Sequence, residues 1–293
     1  MKLSFSPRAE MIFAACSFGS VGLLVRQISL PSSVIACVRG AVGMAFLLLV
    51  LLLRKQPLRL GNKRRNLPLL LLSGAAIGIN WILLFEAYRY TSVAIATLCH
   101  YLAPVFVILI SPLVLKEKLS AKKCVCAAGA LLGMVFVSGV MERTAPAAGH
   151  LTGVALGTGA AVLYAASIVV NKKLPEVSGY DKTLVQLGAA AVVLLPYILL
   201  TEDVSSLMLT PKAALFLLIL SVYHTGICYA LYFDALDGLS TQTAGILSYL
   251  NPVVAILLSA LVLREPLGLW GALGAALILG STFFSEVSFK KDR

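Results

Sequence analysis

Ten side chains interrupt long apolar runs in this chain: Arg39, Asn80, Trp81, Glu86, His100, Tyr101, Tyr223, His224, Tyr249 and Asn251. They supply a guanidinium, a carboxylate, two amides, two imidazoles, an indole and three phenols. This is recognition chemistry, made of hydrogen-bond donors and acceptors, one fixed cation and aromatic faces. Covalent chemistry would need another set. The sequence holds no HExxH and no paired carboxylates at depth. It has no Walker A loop, and its cysteines show no C-x-x-C spacing. The expectation is a protein that is not an enzyme and needs no cofactor or metal. Its six cysteines are read as small buried hydrophobes rather than disulfide partners.

Each polar group has a functional and a structural reading, because burial in hydrocarbon is costly without a partner or water. Arg39 can hold a substrate carboxylate through a bidentate contact, or it can form an interhelical ion pair or snorkel outward; the structural reading is preferred. Glu86 falls at a comparable depth, so an Arg39–Glu86 pair, direct or through water, is expected to gate one side. Asn80 and Trp81 suit an amphipathic solute, with interhelical packing as the alternative for Trp81. His100 and Tyr101 precede Pro104, while Tyr249 and Asn251 precede Pro252. Two proline-distorted helices meeting at mid-depth make a binding site the better reading there. Tyr223 and His224 are read as binding or packing alike. Tyr164, Asn171 and Gln186 are weaker candidates. Glu117 and Glu265 end their spans, and are assigned to structure as negative charge near the N-terminus of the following helix.

The elements that position these residues follow from composition. Hydrophobic residues make up 59% and charged residues 13% of the chain, and the mean hydropathy is +0.94. The chain reads as ten spans, each about the ~20 residues a bilayer needs: Pro7–Ile28, Ser32–Leu53, Leu67–Tyr88, Ser92–Leu115, Ala121–Met141, Leu151–Val170, Thr183–Leu200, Ala213–Leu236, Thr241–Leu263 and Leu267–Phe284. The first is read as a retained anchor rather than a cleaved signal. Runs such as LLLVLLL do not alternate, which excludes a β-barrel in practice. Eighteen basic residues fall on the side of the termini. Only Arg26, Arg89, Arg143, Lys212 and Arg264 fall on the other. Both termini are therefore expected in the cytoplasm. The net charge of +11 then reports topology, not nucleic-acid binding.

The stretch Ala96–Leu119 returns as Ala244–Leu267, with 13 of 24 positions identical at an offset of 148. The matches include Tyr101/Tyr249, Pro104/Pro252, Ser111/Ser259 and Glu117/Glu265. Five spans per half is odd, so the second half must enter the membrane inverted. The fold class is an all-α membrane protein of ten helices in two inverted five-helix repeats, residues 1–146 and 147–293. Many secondary transporters are built this way, with a site near midplane between the repeats.

These features also resemble the EamA-type, ten-helix branch of the drug/metabolite transporter superfamily. The likeness covers nearly the whole chain. It rests on the two halves and on Tyr101, Pro104, Leu115 and Glu117, repeated as Tyr249, Pro252, Leu263 and Glu265, with Arg39 in the second span and Gly19 in the first. The resemblance implies alternating-access movement of small metabolites, often amino-acid export. The expectation is a secondary transporter of small organic solutes, an exporter of amino acids or related amphipathic compounds. A lipid or lysolipid flippase or scramblase is the alternative. Its partners would be a small-molecule substrate and the lipid bilayer. The proton is a candidate coupling ion, and monomer and homodimer both stay open. The expected location is a bacterial inner membrane. Spans one to four and six to nine should line the cavity. Spans five and ten, rich in small residues, should stand at the periphery.

Overall fold

In hydrocarbon a spanning segment must satisfy its own backbone, and this chain does so with helices. A computed structural model describes residues 6–114, 120–137, 149–239, 243, 247–265 and 267–286. The helices are α1 (Pro7–Gly19, resuming after Ser20 as Val21–Val25), α2 (Ser32–Leu53), α3 (Lys63–Tyr90), α4 (Val93–His100, resuming as Ala103–Val114) and α5 (Ala121–Val137). The second half holds α6 (His150–Lys172), α7 (Gly179–Thr201), α8 (Pro211–Leu218, through a π segment Ile219–Ile227 into Cys228–Asp237), α9 (Leu250–Leu261) and α10 (Leu269–Glu286). Seven helices among the described residues are long and apolar enough to cross a membrane.

Local chemistry sets the helix starts. Ser6, Ser92, Ser178 and Thr210 each accept a hydrogen bond from the backbone N–H three residues on, satisfying a donor that the first turn leaves orphaned. Pro7 and Pro211 stand at first-turn positions, where a missing N–H costs nothing. Two starts fall four residues earlier than the sequence reading places them. α3 begins at Lys63 and carries Pro68 in its first turns. α7 begins at Gly179 because Ser178 caps it. Charged first turns hide such starts from a hydropathy reading.

The packing obeys the repeat. α3 lies on α6 and α7, while its mate α8 lies on α1 and α2, the mates of those two. α4 lies on α6, and α9 on α1. The pairs α2–α7, α4–α9 and α5–α10 each set a helix against its own mate. The fold is an all-α membrane bundle of two inverted five-helix repeats that interdigitate. Large apolar side chains such as Leu113, Val125 and Leu200 point outward, as a lipid-facing surface requires.

The small-residue runs of α5 and α10 meet each other. A Cβ on Gly133 would lie 2.8 Å from the Gly274 carbonyl oxygen, and one on Gly274 would lie 2.6 Å from that of Gly133. Only glycine lets the two backbones approach this closely. The bundle has two ends: a near face, where α1 begins, and a far face, where α1 ends.

Candidate functional site

The centre is the crossing of α4 and α9. α4 breaks at Tyr101, and Pro104 stands in the first turn of the resumed helix. α9 begins at Leu250, capped by Tyr249, with Pro252 in its first turn. Each proline stands in the first turn of its helical segment, so the regular helix is interrupted just before it, as expected of proline-distorted spans. Both helix starts bring a tyrosine to the crossing. The Tyr101 and Tyr249 rings lie 6.3 Å apart, and the Tyr101 hydroxyl donates to the Ser248 carbonyl at 3.2 Å. Tyr88, Tyr164 and Tyr232 are further phenol neighbours of Tyr101. Tyr164 is 40% exposed although it stands in this ring of tyrosines, so it faces an internal space.

The other candidates form three groups. Asn80, 1% exposed, donates Nδ2 to the Ala160 carbonyl at 2.6 Å and contacts His100 Nε2 at 3.1 Å. It ties α3 to α6 and orients the imidazole, whose ring lies 5.2 Å from Tyr164. Tyr223 and His224 turn to α1, with the Tyr223 hydroxyl 2.8 Å from Ser17 Oγ and His224 Nε2 2.9 Å from Ser20 Oγ. Asn251 presents its carbonyl to Gly19. Trp81 packs its ring under Arg39, whose guanidinium carbon is 4.3 Å from the ring centroid. Arg39 Nε donates to Thr225 Oγ1 at 2.6 Å.

The expected Arg39–Glu86 pair is not formed. Glu86 pairs with Arg89 at 3.1 Å, one turn along its own helix. Trp81 and Phe85 are four residues apart on the face that meets Arg39, and Glu86, one residue on, is turned about 100° away. The stability losses of Arg39→Gln and Glu86→Gln should therefore add in the double variant to within about 0.5 kcal/mol. A chemical-denaturation cycle showing coupling above about 1 kcal/mol would reinstate the pair.

A second group escaped the sequence reading. On the far face, Glu265 pairs with Arg26 at 2.9 Å. It also accepts from the Val93 N–H at 3.1 Å and from Ser259 Oγ at 2.9 Å. Arg26 in turn donates to the Thr91 carbonyl at 2.7 Å, and the Ala94 N–H donates to Ser259. Glu265 thus caps the N-terminus of α4, not of α10 as expected, and clasps three far-face connections from both halves. Its repeat mate Glu117 lies outside the described residues. On the near face a bidentate bridge joins Arg54 to Asp234, at 3.0 and 2.7 Å, in a pocket of about 240 Å³ with Gln56, Ser178 and Tyr180. The Asp234 hydrogen bonds raise the Arg54 pKa above its ordinary value.

Gln186 donates to Ser73 and to Asn171, which ties α7 to both α3 and α6. One contact departs from the expectation that α10 stands aside: Phe283 meets the Tyr249 ring at 5.8 Å. The missed residues, Ser17, Ser20, Tyr88, Ser259 and Thr225, are ordinary types in apolar helices. Two signals were available: the spacing of Ser17 and Ser20 on one face, and the repeat match of Ser259 with Ser111.

Fold and site together define a multi-pass membrane protein of the inverted-repeat kind. The chain belongs to the EamA-like transporter family, whose model matches residues 10–139 and again 151–286. It is 29% identical to the uncharacterized transporter YxxF of Bacillus subtilis (strain 168) over 92% of this chain and 86% of that one. It is 30% identical to Protein PecM of Dickeya dadantii (strain 3937), over 78% and 77% of the two. A solved crystal structure shares the fold with a TM-score of 0.65 at 20% identity, over 94% of each chain.

Proposed function

We propose that this protein is a secondary transporter of small organic metabolites, an exporter of amino acids or related amphipathic solutes, working by alternating access. The observation that carries the reading is the α4–α9 crossing. On the far side of Tyr101 the two helices are held together by the Glu265 clasp. On the near side of Tyr101, the Ala103–Val114 segment packs chiefly on α6 and α5. A tyrosine crossing clasped at the far face suits a solute-binding state closed to that face. The Tyr101–Tyr249 crossing is then the fulcrum about which the halves rock. Membership of a transporter family and the transporter names of relatives support the class.

The near face is assigned to the cytoplasm, since the basic residues concentrate there. Two measurements test these statements. Purified protein in liposomes preloaded with a mixture of labelled amino acids should release at least one of them faster than protein-free liposomes; no release from any of them refutes the function. In intact cells an impermeant maleimide should label Ser205→Cys and leave Asn62→Cys unreacted. The reverse pattern would overturn the orientation.

A further inference from the structure

Arg39 has an ionic partner neither in its own half nor in the other among the described residues. It is 4% exposed, and a guanidinium cannot shed its charge in a protein. The carboxylates that might have neutralised it are engaged elsewhere: Glu86 with Arg89, Asp234 with Arg54 and Glu265 with Arg26. Its one hydrogen bond runs from Nε to Thr225, which leaves the Nη1/Nη2 edge without an acceptor among the described residues. Trp81 at 4.3 Å and Phe85 at 5.8 Å lie against the guanidinium and fix its plane. Thr225 is held by the π segment of α8, where its Oγ1 also donates to the Leu220 carbonyl at 3.1 Å. Such segments concentrate at functional sites.

Beyond Thr225, the phenols of Tyr229 and Tyr88 and the thiol of Cys228 are close enough to the guanidinium to interact with it electrostatically. Tyr88 is also a neighbour of Tyr101, and Tyr229 of Tyr164. Tyr88 and Tyr229 are thus electrostatic neighbours both of Arg39 and of the tyrosines at the crossing. An oriented, desolvated guanidinium edge matches the two oxygens of a carboxylate. One positive charge matches a monoanion, and the aromatic walls match an apolar remainder.

We propose that Arg39 receives the carboxylate of the transported solute, so that the substrates are monocarboxylates with an apolar or aromatic part, amino acids among them. This rests on the transporter reading above and narrows it to a charge class. Trp81 reports on the site directly, because the chain has two tryptophans and the other, Trp270, packs on Phe136 in the α5–α10 pair. In a Trp270→Phe protein the emission of Trp81 is followed while amino acids and short aromatic monocarboxylates are titrated against their primary amides, with chloride held constant. The expected result is a saturable change with at least one acid and at least tenfold weaker binding of its amide. Arg39→Lys, a point charge in place of a planar fork, should weaken the acid about tenfold and leave the amide unchanged. Equal binding of acid and amide, or no saturable response to any acid, overturns the proposal without recourse to a variant. Acid-selective binding with no release in the liposome assay would sink the transporter reading and leave this site standing. Release of a solute whose binding ignores the carboxylate would do the opposite.

Discussion

Glu265→Gln should open the far face. In a cysteine-free background carrying Thr97→Cys, one turn inside the clasp on α4, labelling from the far face by an impermeant maleimide should rise about tenfold or more. Glu265 makes an ion pair to Arg26, caps α4 through Val93 and receives Ser259. Hydrogen bonds to a charged group contribute about 1.5–3 kcal/mol each, and about 1.4 kcal/mol is a factor of ten in population. Glutamine keeps an acceptor and loses the charge that serves both the guanidinium and the α4 N-terminus. Arg26→Gln should produce most of the same rise. The double variant should add little to either, because both residues feed one clasp. Thr97 labelling that stays at the wild-type rate in both single variants would show that helix packing alone holds the far face shut.

Gly19→Ala should lower stability by about 1–3 kcal/mol, the range for overpacking a filled interior. A Cβ at this position would meet the Asn251 carbonyl oxygen at 2.7 Å and Val254 Cβ at 2.6 Å, so α1 and α9 must separate to admit it. A backbone oxygen cannot rotate away as a side-chain end can. Gly280→Ala in α10 is the control, since a Cβ there meets nothing within 4 Å. It should be neutral or stabilising, because glycine costs a helix interior about 1 kcal/mol relative to alanine. Thermal unfolding in detergent distinguishes the two, and equal shifts would mean that the α1–α9 contact loosens without cost. Because this contact borders the crossing of α4 and α9, Gly19→Ala should also slow solute release beyond any loss in folded yield.

Sequence alone determined the class of this protein. Hydrocarbon tolerates few backbone solutions, so run length and hydropathy set the helices. A repeat carrying an odd number of spans can only be inverted, and the packing of α3 on α6 and α7 and of α8 on α1 and α2 follows that symmetry. Tertiary structure decided who meets whom. Depth along a helix is legible from residue numbers, and on depth alone Arg39 and Glu86 were matched. Rotation is not legible: Arg39 meets the Trp81–Phe85 face of α3, while Glu86 belongs to the next face with Arg89. Glu265 similarly reads as a cap for the helix that follows it in sequence. It caps α4 instead, 172 residues away, because the inverted repeat crosses α9 over the start of its own mate. The π segment that carries Thr225 leaves no mark in composition, and in the fold it packs against α2. Residue types are fixed along the chain, but a buried charge is neutralised by whatever the fold turns toward it.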